Sequence, residues 1–152
     1  MMTTTTELAS PSKLVLRRTF KAPVQKVFDL WTSADGMRQF FFPGEAKVTN
    51  LQVDFRVGGK YSITFVKPDG EVLTVGGVYR EIKVPSRFVC TWTWEEDAPE
   101  EVVETLLTLE FAGRGNETDL VLTHEHLRSI ESRDGHAAGW GACLDKLSQI
   151  LA

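Results

Sequence analysis

Residues 130–151 read IESRDGHAAGWGACLDKLSQIL, and this stretch decides the fold. Ala137, Trp140, Leu144, Leu147 and Leu151 recur at spacings of three and four, while Glu131, Arg133, Asp134, Asp145, Lys146 and Gln149 fall largely elsewhere around the helix. The pattern predicts one long amphipathic helix whose apolar stripe has to be buried against another layer. Gly135, Gly139 and Gly141 interrupt it. A glycine inside a helix costs about 1 kcal/mol relative to alanine. Three so close together imply either tight backbone packing, the favoured reading, or space left free beside Trp140.

The partner layer lies upstream. Between residues 46 and 127 the pattern changes to strand-like segments separated by turn signals at Gly58-Gly59, Pro68-Asp69-Gly70, Val84-Pro85-Ser86, Asp97-Ala98-Pro99 and Gly113-Arg114-Gly115-Asn116. No helical segment intervenes, so successive strands are antiparallel neighbours in a meander of about six strands. Alternation assigns Phe88, Cys90, Trp92 and Trp94 to one face. Val103, Thr105, Leu107, Leu109 and Phe111 join it from the next strand, and Thr118, Leu120, Leu122 and His124 from the last. Tyr61, Ile63 and Phe65 belong there too, with Tyr79 or Val78 depending on whether Gly76-Gly77 forms a bulge. Thr91, Thr93, Glu104, Thr108, Glu110, Asp119, Thr123 and Glu125 take the opposite parity and are assigned to water.

Ahead of the meander, residues 13–20 alternate as a first strand that can add an edge to the sheet. Pro23 is placed for a first helical turn, and Val24, Val27, Phe28 and Trp31 follow at helical spacing. Ser33 can cap a second short helix through Met37 and Phe40, which Phe41-Phe42-Pro43-Gly44 then breaks. Residues 1–12 are polar, threonine-rich and without period, and are expected to be a disordered tail ahead of one domain spanning residues 13–152. The fold class is therefore α+β: a curved antiparallel sheet of about seven strands wrapped on a long C-terminal helix, with two short helices between the first two strands.

Composition excludes several roles. The formal charge of −4 comes with scattered Lys and Arg, which leaves no basic patch for nucleic acid. No apolar run approaches the ~20 residues of a membrane span, and the start lacks the basic and apolar segments of a secretory signal, so a cytoplasmic location is expected. Cys90 and Cys143 sit in apolar surroundings and read as reduced core thiols.

The order of elements resembles the helix-grip fold of the START and birch-pollen-allergen superfamily (SRPBCC), in particular the branch named for the activator of the heat-shock protein 90 ATPase. The residues that carry the resemblance are Arg18-Thr19-Phe20-Lys21-Ala22-Pro23 with Val27-Phe28 and Trp31, then Asp54-Phe55-Arg56-Val57-Gly58-Gly59-Lys60-Tyr61. Further carriers are Gly77-Val78-Tyr79-Arg80-Glu81-Ile82, Thr91-Trp92, residues 118–124, and Gly139-Trp140 with Leu144 and Leu147. The resemblance implies the fold, and a branch of small stand-alone bacterial domains with unassigned roles; it does not imply one function, because the superfamily spans lipid carriers, cyclases and chaperone regulators.

The site residues follow from the faces. An apolar pocket between sheet and terminal helix is expected to be lined by Phe28, Trp31, Phe40, Tyr61, Phe65, Tyr79, Trp92, Trp94, His124, His136 and Trp140, and to bind a small hydrophobic or aromatic molecule. A cyclase- or hydrolase-like enzyme using His124 as acid or base is the alternative, less favoured because Glu125 and Asp119 point away from it by strand alternation. A co-chaperone-like protein-binding role is implied by the branch name alone, and this sequence has only the tail ahead of residue 13 where a companion domain would stand. His124, His126 and His136 form no convincing metal set, and neither a metal nor a cofactor is expected. Asp54 and Arg56 read as a local ion pair beside the Gly58-Gly59 turn, which is not a phosphate loop. A homodimer is expected to protect one sheet edge.

Overall fold

The computed structural model describes residues 5–42, 44–96 and 103–152. Ser33 separates two short helices, α1 (Val24–Thr32) and α2 (Ala34–Phe40). Its hydroxyl accepts the Gly36 N–H at 3.1 Å and donates to the Asp29 carbonyl at 2.9 Å, so one side chain ends the first helix and caps the second. The strands are β1 (Thr5–Ser10), β2 (Lys13–Phe20), β3 (Lys47–Val53), β4 (Lys60–Val66), β5 (Val72–Lys83), β6 (Arg87–Trp94), β7 (Thr105–Arg114) and β8 (Glu117–Glu125); α3 (Ile130–Ile150) ends the chain. They form one antiparallel sheet of eight strands in the order β1-β2-β8-β7-β6-β5-β4-β3. The predicted meander is β3 to β8, and β2 joins it by pairing with β8 from Leu14 opposite His124 to Phe20 opposite Thr118. The expected Asp97-Ala98-Pro99 turn and Pro43 lie outside the described residues.

The eighth strand corrects the expectation of a disordered tail. Thr5, Thr6 and Glu7 pair with Arg17, Leu16 and Val15, and Glu7 meets Arg17 at 3.0 Å. The side chains of β1 are almost all exposed, so the strand is held by its backbone ladder and has no buried face to impose an alternation.

The inward parity is as expected: Phe88, Cys90, Trp92, Leu107, Leu109, Phe111, Leu120, Leu122 and His124 are all buried. Tyr79 rather than Val78 faces the core, because the register shift falls between Tyr79 and Glu81 and not at the glycines. Gly77 has a different reason. A Cβ there would lie 1.9 Å from the Thr91 carbonyl oxygen, so the chains approach too closely for any side chain. Two residues assigned to water are buried instead. With no side chain on Gly77 the Thr91 hydroxyl reaches the Val78 N–H at 2.9 Å, and Thr108 lies between Val89 and Thr123 across the ladder.

Helix α3 buries Trp140, Leu144 and Leu147, with Leu151 just beyond its end, and rests on β2 and α2. Arg18 reaches it from the inward face of β2: Nη2 donates to Asp145 at 2.7 Å and Nη1 to the Ser148 hydroxyl at 3.1 Å. Phe28 fills the other end of the core, edge-on to Phe55, Phe88 and Phe111 at centroid distances of 5.8, 6.2 and 5.2 Å. Leu144 is fully buried on this stripe. Replacing it with alanine is expected to lower stability by ~2–5 kcal/mol, the range for large-to-small core changes. Gly77→Ala should destabilise as well, since its neighbour is backbone; urea melts that leave either variant at the wild-type midpoint contradict this packing.

Candidate ligand-binding cavity

Because α3 leans on β2 and α2, its N-terminal half stands away from the β4–β5 hairpin. No side chain on Gly135 or Gly139 fills the gap: a Cβ at either position meets nothing within 4 Å. The result is a cavity of about 360 Å³. Phe65, Lys67 and Leu73 line it from the hairpin, Trp92 and Trp94 from β6, and Phe41 and Phe42 from the segment after α2. Helix α3 supplies Ser132, Gly135, His136, Gly139, Trp140 and Cys143. The three helix glycines are thus not sites of tight packing, the reading favoured from sequence. Gly135 and Gly139 keep the cavity open, and Gly141 also has free space.

Two hydrogen-bonded chains run through and behind the walls. Trp94 Nε1–H donates to His136 Nε2 at 2.9 Å, and His136 Nδ1–H donates to the Ser132 carbonyl at 2.7 Å. Behind Trp140 a second chain runs through fully buried His124. Trp140 Nε1–H donates to His124 Nδ1 at 3.1 Å; the Thr105 hydroxyl donates to the Trp92 carbonyl at 2.7 Å and so accepts from His124 Nε2–H at 2.7 Å. The two imidazoles, 4.9 Å apart between centroids, therefore carry opposite neutral tautomers. Burial, and then the neighbouring His136, hold the His124 pKa well below the ordinary histidine value.

Of the sequence-derived site residues, Phe65, Trp92, Trp94, His136 and Trp140 line this cavity. His124 stands one layer back. Tyr61, Tyr79 and Trp31 surround a separate void of only about 10 Å³, where the Tyr61 hydroxyl donates to the Thr91 carbonyl. Phe40 packs edge-on to Trp31 at 4.9 Å, and Phe28 belongs to the far aromatic cluster. The sequence reading missed Lys67, Leu73, Ser132 and Cys143 as lining residues. Cys143 and Ser132 follow from helical spacing once Gly139 and Trp140 are placed on the wall, whereas Lys67 and Leu73 depend on how the hairpin curls.

Burial pushes the Cys90 and Cys143 thiols up to about 12, which removes the thiolate a nucleophile needs. His126 is exposed and turned out of the strand at φ 68°, and among the described residues no three His, Cys, Asp or Glu side chains come together as a metal site. Asp54 and Arg56 do pair, at 2.8 Å and exposed to solvent.

A curved antiparallel sheet gripping a C-terminal helix, with two short helices closing one end, defines the helix-grip class. The model for the family described as "Activator of Hsp90 ATPase homolog 1-like protein" matches residues 21–152, and the chain belongs to that family. Its fold is also that of a Chromobacterium violaceum protein, with a TM-score of 0.86 at 22% identity over 93% of this chain and 98% of that one. A Silicibacter pomeroyi AHSA1 protein matches at 25% identity and a TM-score of 0.82, covering 92% and 97% of the two chains. An HSP90 activator from Plasmodium falciparum matches at 23% and 0.71, covering 92% and 96%. No curated protein matches significantly.

The tautomers and the buried imidazole give a direct check. Nitrogen NMR should show His124 protonated at Nε2 and His136 at Nδ1. Unfolded His124 takes up a proton near pH ~6.5, whereas the folded ring, its pKa lowered, does so only at more acid pH. Its contribution is therefore present above pH ~6.5 and is lost as pH falls below it, with a slope approaching about 1.4 kcal/mol per pH unit. His124→Gln should flatten that part of the stability curve; an unchanged slope contradicts the buried neutral ring.

Proposed function

We propose that the chain binds a small hydrophobic or aromatic molecule in the cavity between the β4–β6 wall and α3. The observation that carries this reading is the cavity itself: about 360 Å³, within the size range of small-molecule sites, walled mainly by aromatic side chains and held open by helix glycines that have no packing reason to be there. Catalysis through His124 is the weaker reading. Both of its ring nitrogens are hydrogen-bonded to the protein, the ring is buried, and its depressed pKa takes it away from the neutral range where an acid/base group works.

A protein-binding, co-chaperone-like role has support from the family description and from the P. falciparum neighbour. Stimulation of a purified Hsp90 ATPase by the chain separates that role from ligand binding. The reading places the protein in the cytoplasm, in keeping with two buried free thiols and with no described helix long and apolar enough to cross a membrane. A homodimer, the other expected partner, would pair through β1 or β3, the two sheet edges, and sedimentation measures it.

A panel of aromatic dyes, flavonoids and fatty acids tests the reading: at least one member should quench tryptophan fluorescence, with Trp92, Trp94 and Trp140 as reporters. Gly139→Leu should abolish the quench while the domain stays folded, because the new side chain enters free space instead of colliding with backbone. Failure of the whole panel to bind sinks the proposal.

A further inference from the structure

We infer that the cavity selects an uncharged aromatic molecule of about two rings and rejects carboxylates of the same size; this rests on the cavity being a binding site. Volume sets the first limit. A buried cavity of ~150 Å³ accommodates one benzene ring, and the space here is about 360 Å³, roughly twice as large. The walls set the second. Trp94 and His136, Trp92 and Trp140, and Phe41 and Trp140 stand at centroid distances of 6.1, 4.9 and 5.3 Å with their ring planes inclined. Such walls offer both faces and edges, the geometry in which an added ring is held by its quadrupole as well as by contact.

The polar inventory sets the third limit and disfavours a charged group carried in among the rings. An ionised carboxylate needs several donors on leaving water. The N–H groups of Trp94 and Trp140 are taken by the two histidines, and the His136 N–H by the Ser132 carbonyl. Cys143 Sγ donates to the Phe42 carbonyl at 3.4 Å, and Lys146 Nζ, which is not part of the lining, gives one of its three N–H to the same oxygen at 2.9 Å. Two features that attract anions are also engaged. Lys67 Nζ bonds Glu71 at 2.8 Å, so that corner is neutral as a pair, and the Ser132 N–H in the first turn of α3 is taken by the Ser129 hydroxyl at 3.0 Å with Glu131 beside it. Among the described residues the Trp92 indole N–H is buried without a partner and the Ser132 hydroxyl keeps its proton to give, and two neutral donors do not balance a carboxylate.

Isothermal titration of the whole chain with 2-naphthol, 2-naphthoate and decanoate at neutral pH tests the selection, since the first two share one ring system and differ in charge. The expected result is saturable binding of 2-naphthol, with both carboxylates at least about tenfold weaker, a difference of roughly one decade in Kd. Naphthoate or decanoate binding as tightly as 2-naphthol overturns the selection for neutral aromatics and leaves the binding function standing. No heat from any of the three, together with no tryptophan quench, overturns both.

Discussion

One imidazole fixes how the helix sits on the sheet. His124 lies at the inward end of β8 and joins Trp140 on α3 to Thr105 on β7, whose hydroxyl continues to the Trp92 carbonyl on β6. These are polar groups in an apolar core, where an unpaired partner is costly and a complete chain specifies one arrangement. With Trp140 bonded inward, helical spacing brings His136, Gly139 and Cys143 to the same side. The cavity is then a consequence of rotation: the face that Trp140 turns to the sheet is also the face that carries the glycines. Arg18, bonded to Asp145 and Ser148, holds the other half of the helix against β2.

The two kinds of glycine show how different constraints read alike in a sequence. Gly77 is demanded by the fold, because the Thr91 carbonyl occupies the place of a side chain. Gly135 and Gly139 have open space, so nothing in the packing asks for them, and each lowers helix stability by about 1 kcal/mol relative to alanine. That loss has no structural gain to offset it, and it leaves the space that the proposed binding would use.

How much was legible follows from the same distinction. The meander, the helix pair and the terminal helix were readable because each buries one face, and burial imposes a period of two or about three and a half on the residues. Strand β1 was invisible because it buries nothing and is held by backbone bonds that any sequence can make. The inward row was readable, but membership of the cavity was not: Phe28, Phe40 and Trp92 share an apolar interior, and only the curl of the sheet decides that Trp92 meets open space while the other two are packed against rings. Thr91 and Thr108 failed for the reverse reason, since the outer face of a central strand is covered by its neighbours where these are small or long.

The same wiring that builds the site restrains its chemistry. A histidine exchanges protons in catalysis only if one ring nitrogen can turn to a substrate, yet the indole N–H groups of Trp140 and Trp94 each point at the lone pair of an imidazole, and protonating that nitrogen would set donor against donor. The second nitrogen of each ring is held by an oxygen of the protein. Acid/base work would thus require breaking the bonds that orient α3, whereas binding requires only that the rings stay where these bonds hold them. In this fold the histidines act as fixed spacers against the tryptophans, and the ring faces and open glycines around them are the surfaces left for the proposed ligand.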